Sequence, residues 1–306
     1  MKTLNKYALS ILTASILSCT AQAEDVQNKP QTQASETVIN QQSNNVALTE
    51  EELAEIQQKL NNPLADLWLL FLQNDYTSFQ DAQNNDYQIN SLKFQPVMSF
   101  DFSENYNLIV RPTIQHLSIE APGLDRESGL GDVGLLAAFG PKTDMGGWVI
   151  GGGFTSMFPT AKEDALTTLG ANQAAVGPAI VALKIGEKNT YGAVVQHFQG
   201  VGSSDLRDIN GNEEDISLTD IQYVFRTKIS PTVQVGFAPN IQIDWTKEGS
   251  DRFSIPIGLG IDKITRIGNM PIRVGIEAYH YVEQNDQFGP DWGIRFFAIP
   301  VIQPLF

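Results

Sequence analysis

From residue 67 onward the chain alternates between apolar and polar positions. In VQVGFAPNIQIDW, Val233, Val235, Phe237, Pro239, Ile241, Ile243 and Trp245 share one face, and Gln234, Gly236, Ala238, Asn240, Gln242 and Asp244 share the other. FSIPIGLGID sets Phe253, Ile255, Ile257, Leu259 and Ile261 against Ser254, Pro256, Gly258, Gly260 and Asp262. LKFQPVMSFDF sets Leu92, Phe94, Pro96, Met98, Phe100 and Phe102 against Lys93, Gln95, Val97, Ser99 and Asp101. Successive side chains of a strand point to opposite faces, so period two over about ten residues predicts a strand. Less regular segments of this kind lie near 105–119, 130–140, 147–158, 174–185, 189–199, 215–228, 270–283 and 290–302. With 67–78 they bring the expectation to about twelve strands, each the length a tilted strand needs to cross a bilayer.

The connections carry a second pattern. Longer ones around 77–87, 120–129, 159–173 and 200–214, and medium ones at 246–251 and 283–290, alternate with short ones at 103–106, 141–146, 186–188, 229–231 and 265–269. A secreted soluble β-sandwich also alternates its side chains, because any half-buried sheet does. It has no reason to alternate its loops. An outer-membrane barrel has one, since its hairpins are short on the periplasmic side and longer outside. In hydrocarbon every backbone N–H and C=O needs an internal partner, so strands span only as a closed barrel. The expected fold is therefore all-β: a transmembrane antiparallel up-and-down β-barrel of about twelve strands over 63–306. Trp148, Phe158, Phe237 and Trp245 stand at strand ends, where interfacial aromatic girdles belong.

The N-terminal part is organised differently. Lys2 and Lys6, an apolar stretch from Tyr7 to Leu17 and the small-residue site Ala21-Gln22-Ala23 make residues 1–23 a secretory signal peptide, cut after Ala23. The alternative is lipoprotein processing at Cys19, the one cysteine. Residues 24–48 are rich in Gln, Asn, Ser and Thr without periodicity, and read as a disordered tether. An amphipathic helix follows over 49–62. Thr49 and Glu52 form a capping box, Leu53, Ile56 and Leu60 make one stripe, and Asn61-Asn62-Pro63 ends it. The run LWLLFL just after it is apolar on both strand faces. Trp68, Leu70, Leu72, Asn74 and Tyr76 are assigned to lipid. Leu67, Leu69, Phe71, Gln73 and Asp75 are assigned inward, with the apolar inner positions covered by the preceding helix at the barrel mouth.

Composition narrows the function. The formal charge of −15 argues against nucleic acid as a partner. Gly129-Leu130-Gly131-Asp132-Val133-Gly134 fits G-x-G-x-x-G, but a dinucleotide site needs a strand before it and a helix after it, and here a polar loop precedes and an alternating strand follows. The loop 205–215 is acidic but fails the EF-hand spacing; a solvated loop is one reading, a loose divalent-cation contact at the lipopolysaccharide surface another. His116, His197 and His280 sit in separate strands with no zinc spacing. No cofactor, metal or catalytic residue is expected. Charges of inward parity are the functional candidates: Lys93, Arg111, Arg226, Arg273, Arg295, Asp244, Asp262 and Glu277. On the lipid face each costs about 2–4 kcal/mol near the midplane. In the lumen they set the charge preference of a pore, or they pair with one another and fill the barrel.

NPLADLWLLFLQNDY, SGLGDVGLLAAFGPK, GGWVIGGGFTSMFPTA, VGPAIVALK with TYGAVVQHF, FSIPIGLGIDK and GPDWGIRFFAIPVI, in this order, resemble the outer-membrane transporter family labelled "MetA-pathway of phenol degradation", some of whose members carry the label neuromedin U. The resemblance covers about residues 52 to 306. It implies an outer-membrane barrel in a Gram-negative bacterium that passes small organic, including aromatic, solutes. The pathway label describes gene context and not catalysis. It also implies contact with outer-membrane lipid, lipopolysaccharide and the outer-membrane assembly machinery, for which the terminal Phe306 resembles the assembly signal. The longer tether departs from the family, as do Pro300 and Pro304, which leave the last strand either reaching Phe306 or stopping near Ile302. Two other readings stay open: a closed structural or surface-interaction barrel without transport, and an outer-membrane hydrolase.

Overall fold

Strands with one apolar face must bury it or meet lipid, and the computed structural model shows which. It describes residues 48–62, 67–122, 125–143, 145–161, 169–203 and 215–302. The expected signal peptide, the tether to residue 47, the acidic loop before Asp215 and Phe306 lie outside the described residues. A short helix, α1 (Glu50–Lys59), precedes fourteen strands. These are β1 (Trp68–Asp81), β2 (Asp86–Asp101), β3 (Tyr106–Glu120), β4 (Glu127–Leu130), β5 (Val133–Pro141), β6 (Trp148–Phe158) and β7 (Ala174–Ile185). Then follow β8 (Asn189–Val201), β9 (Ser217–Ser230), β10 (Val233–Phe237), β11 (Asn240–Asp244), β12 (Phe253–Ile267), β13 (Met270–Glu283) and β14 (Phe288–Ile302).

All pairings among the described residues are antiparallel, and β14 pairs back onto β1. Both β4 and β5 lie against β3, and both β10 and β11 lie between β9 and β12. Each of these pairs is one broken strand, so the described residues close a barrel of twelve. The seam runs from Trp68 opposite Ile302 to Asp81 opposite Phe288. Its ladder lapses between Leu69–Val301 and Leu72–Ala298, beside Pro300, which has no N–H to give. β14 runs to Ile302, the last described residue.

The outer surface is apolar and the inner one polar. On β12, Ile257, Leu259 and Ile261 are 57%, 61% and 47% exposed, whereas Asp262 is 1% exposed. A water-soluble domain does the reverse. Aromatic contacts on the outside fall near both ends: Trp148 with Tyr191 and Phe102 with Phe139 near the short turns, Tyr76 with Trp292 near the longer loops. Asn74, polar on the outer face, is satisfied by Asn90. The two amides exchange hydrogen bonds of 2.9 and 3.2 Å. Trp68 also has outer parity, but it is buried, edge-on to Phe100.

Two expectations are corrected. The first connection is 82–85, not 77–87, and is no longer than the second at 102–105. Asp81 tightens it, its carboxylate accepting the N–H groups of Gln83 and Asn85 at 2.9 and 2.8 Å. The third connection, expected at 120–129, is cut by β4 to 121–126 and equals the fourth at 142–147, so strict alternation of loop length begins only at 159–173. Pro239, assigned to the lipid face, is fully buried against the lumen. With no N–H to extend the ladder, it sits at the break between β10 and β11, where the strand kinks inward.

The helix lies inside. Its capping box forms as the sequence predicts, with Thr49 N–H donating to Glu52 Oε2 at 2.7 Å and Glu52 N–H to Thr49 Oγ1 at 3.2 Å. Leu53 and Leu60 join Leu67, Leu69, Val97, Ile109, Leu136 and Ile299 in one apolar cluster at the short-turn end of the lumen. The inner face of LWLLFL is covered in this way. Among the described residues no helix is long and apolar enough to cross a membrane. A second cluster at the long-loop end joins Phe79, Ile89, Leu117, Ile119 and Phe288 to Leu169, which folds in from the β6–β7 connection.

Candidate functional site: the charged waist of the lumen

Between the two apolar clusters lies a layer of charge. Register creates its centre, because Asp75 on β1 and Glu277 on β13 stand directly opposite Arg295 on β14, one on each side. Arg295 Nε donates to Asp75 Oδ1 at 2.6 Å, and its Nη1 lies 3.6 Å from Glu277 Oε2. Lys93 Nζ reaches Asp75 Oδ2 at 2.9 Å. Arg226 joins Glu277 and Asp262 at 2.5 Å each, and Arg273 Nε donates to Asp262 Oδ1 at 2.6 Å. The result is one chain of alternating sign: Lys93, Asp75, Arg295, Glu277, Arg226, Asp262, Arg273. It begins and ends on a cation. The guanidiniums also lie over rings, Arg226 and Arg273 over Phe297 at 5.5 and 6.0 Å and Arg295 over Tyr279 at 5.7 Å.

Glycines leave room for this layer. Gly260 pairs with Glu277 and Gly275 with Asp262. A Cβ on Gly275 stands 2.3 Å from the Phe297 ring and 2.8 Å from Asp262 Cβ, and one on Gly260 stands 2.5 Å from Glu277 Cγ. The glycines of FSIPIGLGID are there for their missing side chains.

The helix closes on the layer from below. Gln57, fully buried, donates from Nε2 to Asp262 Oδ1 at 3.2 Å. Arg273 Nη1 donates to Asn61 Oδ1 at 3.1 Å, and Arg266 Nη1 to the Leu48 carbonyl at 2.6 Å. The plug is thus fixed by polar contacts to β12 and β13 as well as by its leucines.

Among the described residues, two cavities lie along the lumen. The upper one, about 300 Å³, lies toward the longer loops. Its lining mixes amides and hydroxyls such as Gln115, Thr155 and Gln196 with Tyr279, Tyr281 and Phe288. The lower one, about 160 Å³, lies between the waist and the helix and is lined mainly by aliphatic side chains. Gln73, Arg111, Gln222 and Arg295 border both.

The eight charges singled out from the sequence fall as follows. Lys93, Arg226, Arg273, Arg295, Asp262 and Glu277 belong to the ion chain. Arg111 stands between the cavities, outside the chain, with Nη1 on Gln222 Oε1 at 3.3 Å. Asp244 lies apart at the upper mouth, its Oδ1 accepting from the Thr246 N–H at 2.9 Å and hydroxyl at 2.6 Å. Phe306 lies outside the described residues.

Three acidic residues escaped the sequence reading. Asp75 had inward parity but was embedded in the greasy first strand. Asp220 lies on the upper cavity wall and accepts from Asn240 Nδ2 at 2.8 Å. Asp132 was hidden inside the glycine motif. The break at Gly131–Asp132 aims its buried carboxylate at the β6–β7 connection. There it accepts the N–H groups of Thr160, Ala161 and Ala171 at 2.8, 2.9 and 2.6 Å. The motif anchors a loop and holds no nucleotide-binding helix, since β5 follows it.

All three histidines have outward parity: Gln115 and Leu117, Gln196 and Phe198, and Tyr279 and Tyr281, which flank them, all line the upper cavity. His197 Nδ1 contacts Thr219 Oγ1 at 2.9 Å, and His280 Nδ1 lies 3.3 Å from Asp291.

Comparison with solved structures gives the architecture a context. The barrel aligns with an outer membrane channel from Pseudomonas putida F1 at TM-score 0.59 and 14% identity, covering 77% of this chain and 94% of that one. The NanC porin aligns at TM-score 0.45 and 10% identity, over 77% of this chain and 100% of that one. A FadL homologue from Pseudomonas aeruginosa aligns at 0.41 and 10%, over 80% and 93%. At 14% identity the likeness to the Pseudomonas putida channel is one of fold alone, that of an outer-membrane barrel. No protein-family profile and no curated protein sequence matches the chain.

Proposed function

We propose that this protein is an outer-membrane channel of a Gram-negative bacterium that lets small organic solutes through passively, with α1 as its periplasmic plug. The carrying observation is the lumen: a cavity of about 300 Å³, mixed polar and aromatic, adjoins a second of about 160 Å³ across Arg111 and Gln222. Among the described residues, α1 and the apolar cluster around it lie between the lower cavity and the short-turn end. The barrel fold shared with an outer membrane channel supports the reading, as does the resemblance to the MetA-pathway family. Outer-membrane lipid, lipopolysaccharide and the assembly machinery are the partners this reading requires.

The test is planar-bilayer conductance of heat-modifiable, folded protein, with and without residues 48–62. The shortened barrel is expected to conduct more than the full chain, and both to admit benzoate in liposome swelling. Folded barrels that pass neither ions nor benzoate in either form would sink the channel reading. A second reading, a closed surface-interaction barrel, draws on one observation: helix, leucines and ion chain together fill the short-turn half. That silent outcome is the one it expects. A hydrolase would need a base held beside a nucleophile, and inactivity across a screen on lipids and esters would retire that reading.

A further inference from the structure

We infer that Arg111 is the binding group for a monoanion with an apolar body, a small aromatic or aliphatic carboxylate, held at the junction of the two cavities. Four of the five inner-wall cations singled out above, Lys93, Arg226, Arg273 and Arg295, each have a carboxylate within 2.9 Å. Arg111 has none within 4.0 Å among the described residues, and its buried Nε has no hydrogen-bond acceptor. Its contact to Gln222 is long at 3.3 Å and neutral. Arg111 is half-buried, and a guanidinium held against a protein wall is costly unless an anion or a full set of acceptors meets it. Adding Arg111 and Asp220 to the ion chain gives five cations against four carboxylates, Asp75, Asp220, Asp262 and Glu277, an excess of one positive charge on this stretch of wall.

The surroundings select the rest of the ligand. Guanidinium planes match carboxylates in bidentate geometry. Gln73 and Gln222 border both cavities beside Arg111 and offer neutral amides. Below them the lower cavity is lined by Leu69, Val97, Ile109, Leu136, Val181 and Val194, dry enough for a ring or short alkyl chain and wrong for a sugar. A dianion exceeds the single uncompensated charge. The head therefore sits on Arg111 and the body points toward α1.

This deepens the channel reading by naming its solute class, and its test does not depend on conduction. Binding of benzoate, benzyl alcohol and chloride to the folded full-length barrel in detergent is measured by titration calorimetry, for wild type, Arg111→Gln and the exposed-loop control Arg126→Gln. Benzoate is expected to bind wild type at least about tenfold tighter than benzyl alcohol, with Arg111→Gln raising the benzoate Kd about tenfold or more and Arg126→Gln leaving it unchanged. Should Arg111→Gln not fold, the wild-type ratio of benzoate to benzyl alcohol decides alone. Equal affinity for acid and alcohol, absence of benzoate binding, or a folded Arg111→Gln barrel that binds as wild type overturns the assignment. So does chloride competing as well as benzoate, which would mark a general anion site. A barrel that binds benzoate and never conducts refutes the channel and leaves the site; one that conducts and never binds does the converse.

Discussion

At the scale of single residues, inward and outward placement follow from parity, but partners do not. Period two places Arg226, Asp262, Arg273, Glu277 and Arg295 on the inner wall. Nothing local says that Arg226 meets Asp262 across 36 positions and Glu277 across 51, or that Asp75 meets Arg295 across 220. Those distances close only when strand register and barrel closure are both set. The same limit hid Asp132, whose three N–H partners lie 28 to 39 residues on, in a loop without periodicity. A consequence at this scale concerns Asp262, which touches Arg226, Arg273 and Gln57. Replacing it by Ala leaves two buried guanidiniums short of an anion, and removing one partner of a buried ion pair costs about 3–5 kcal/mol. Asp262→Ala is expected to lower barrel stability by that order in urea titrations of the folded, heat-modifiable form, and unchanged stability would show the waist to be hydrated rather than tightly coupled.

At the scale of elements, the strands were readable to within a few residues, because outer-face alternation is a local property. The failures have local causes too. Asp81 shortens a hairpin that looked long, and Pro239 breaks a strand that looked continuous. The helix was legible from its cap and stripe, and what it packs against follows from the unusual double apolarity of LWLLFL. Its polar anchors were not legible, since Gln57 and Asn61 read as surface residues of an amphipathic helix. Leu60 is the apolar end of that plug, 6% exposed in the lumen. Leu60→Asp buries a charge there, a change that outweighs the roughly 2–5 kcal/mol of a large-to-small core substitution. The expected outcome is a helix released from an intact barrel: limited proteolysis cuts within 48–62 while the heat-modifiable band persists. Resistance equal to wild type would mean that the polar anchors suffice.

At the scale of the whole molecule, the sign of the hydrophobic pattern is what separates this barrel from a soluble sandwich. Sequence alternation alone serves both, and the difference appears only when the apolar face is found outside. Leu259, 61% exposed at mid-strand, tests this directly. Leu259→Arg is expected to cost about 2–4 kcal/mol for folding into phospholipid vesicles. A cost near zero would place this surface in water.

The plug also has a temporal side. The groups that hold α1 in place lie 205, 212 and 218 residues downstream of it, all on β12 and β13. The first folded segment to leave the assembly of the chain unfinished is therefore the first helix itself: its seat is built by nearly the last strands. Until β12 and β13 are in position the helix lacks Asp262, Arg273 and Arg266 to bond, whereas most of the wall its leucines meet belongs to other strands. A docked helix is thus a signature of finished assembly, since an intermediate lacking β12 and β13 has no polar seat for it.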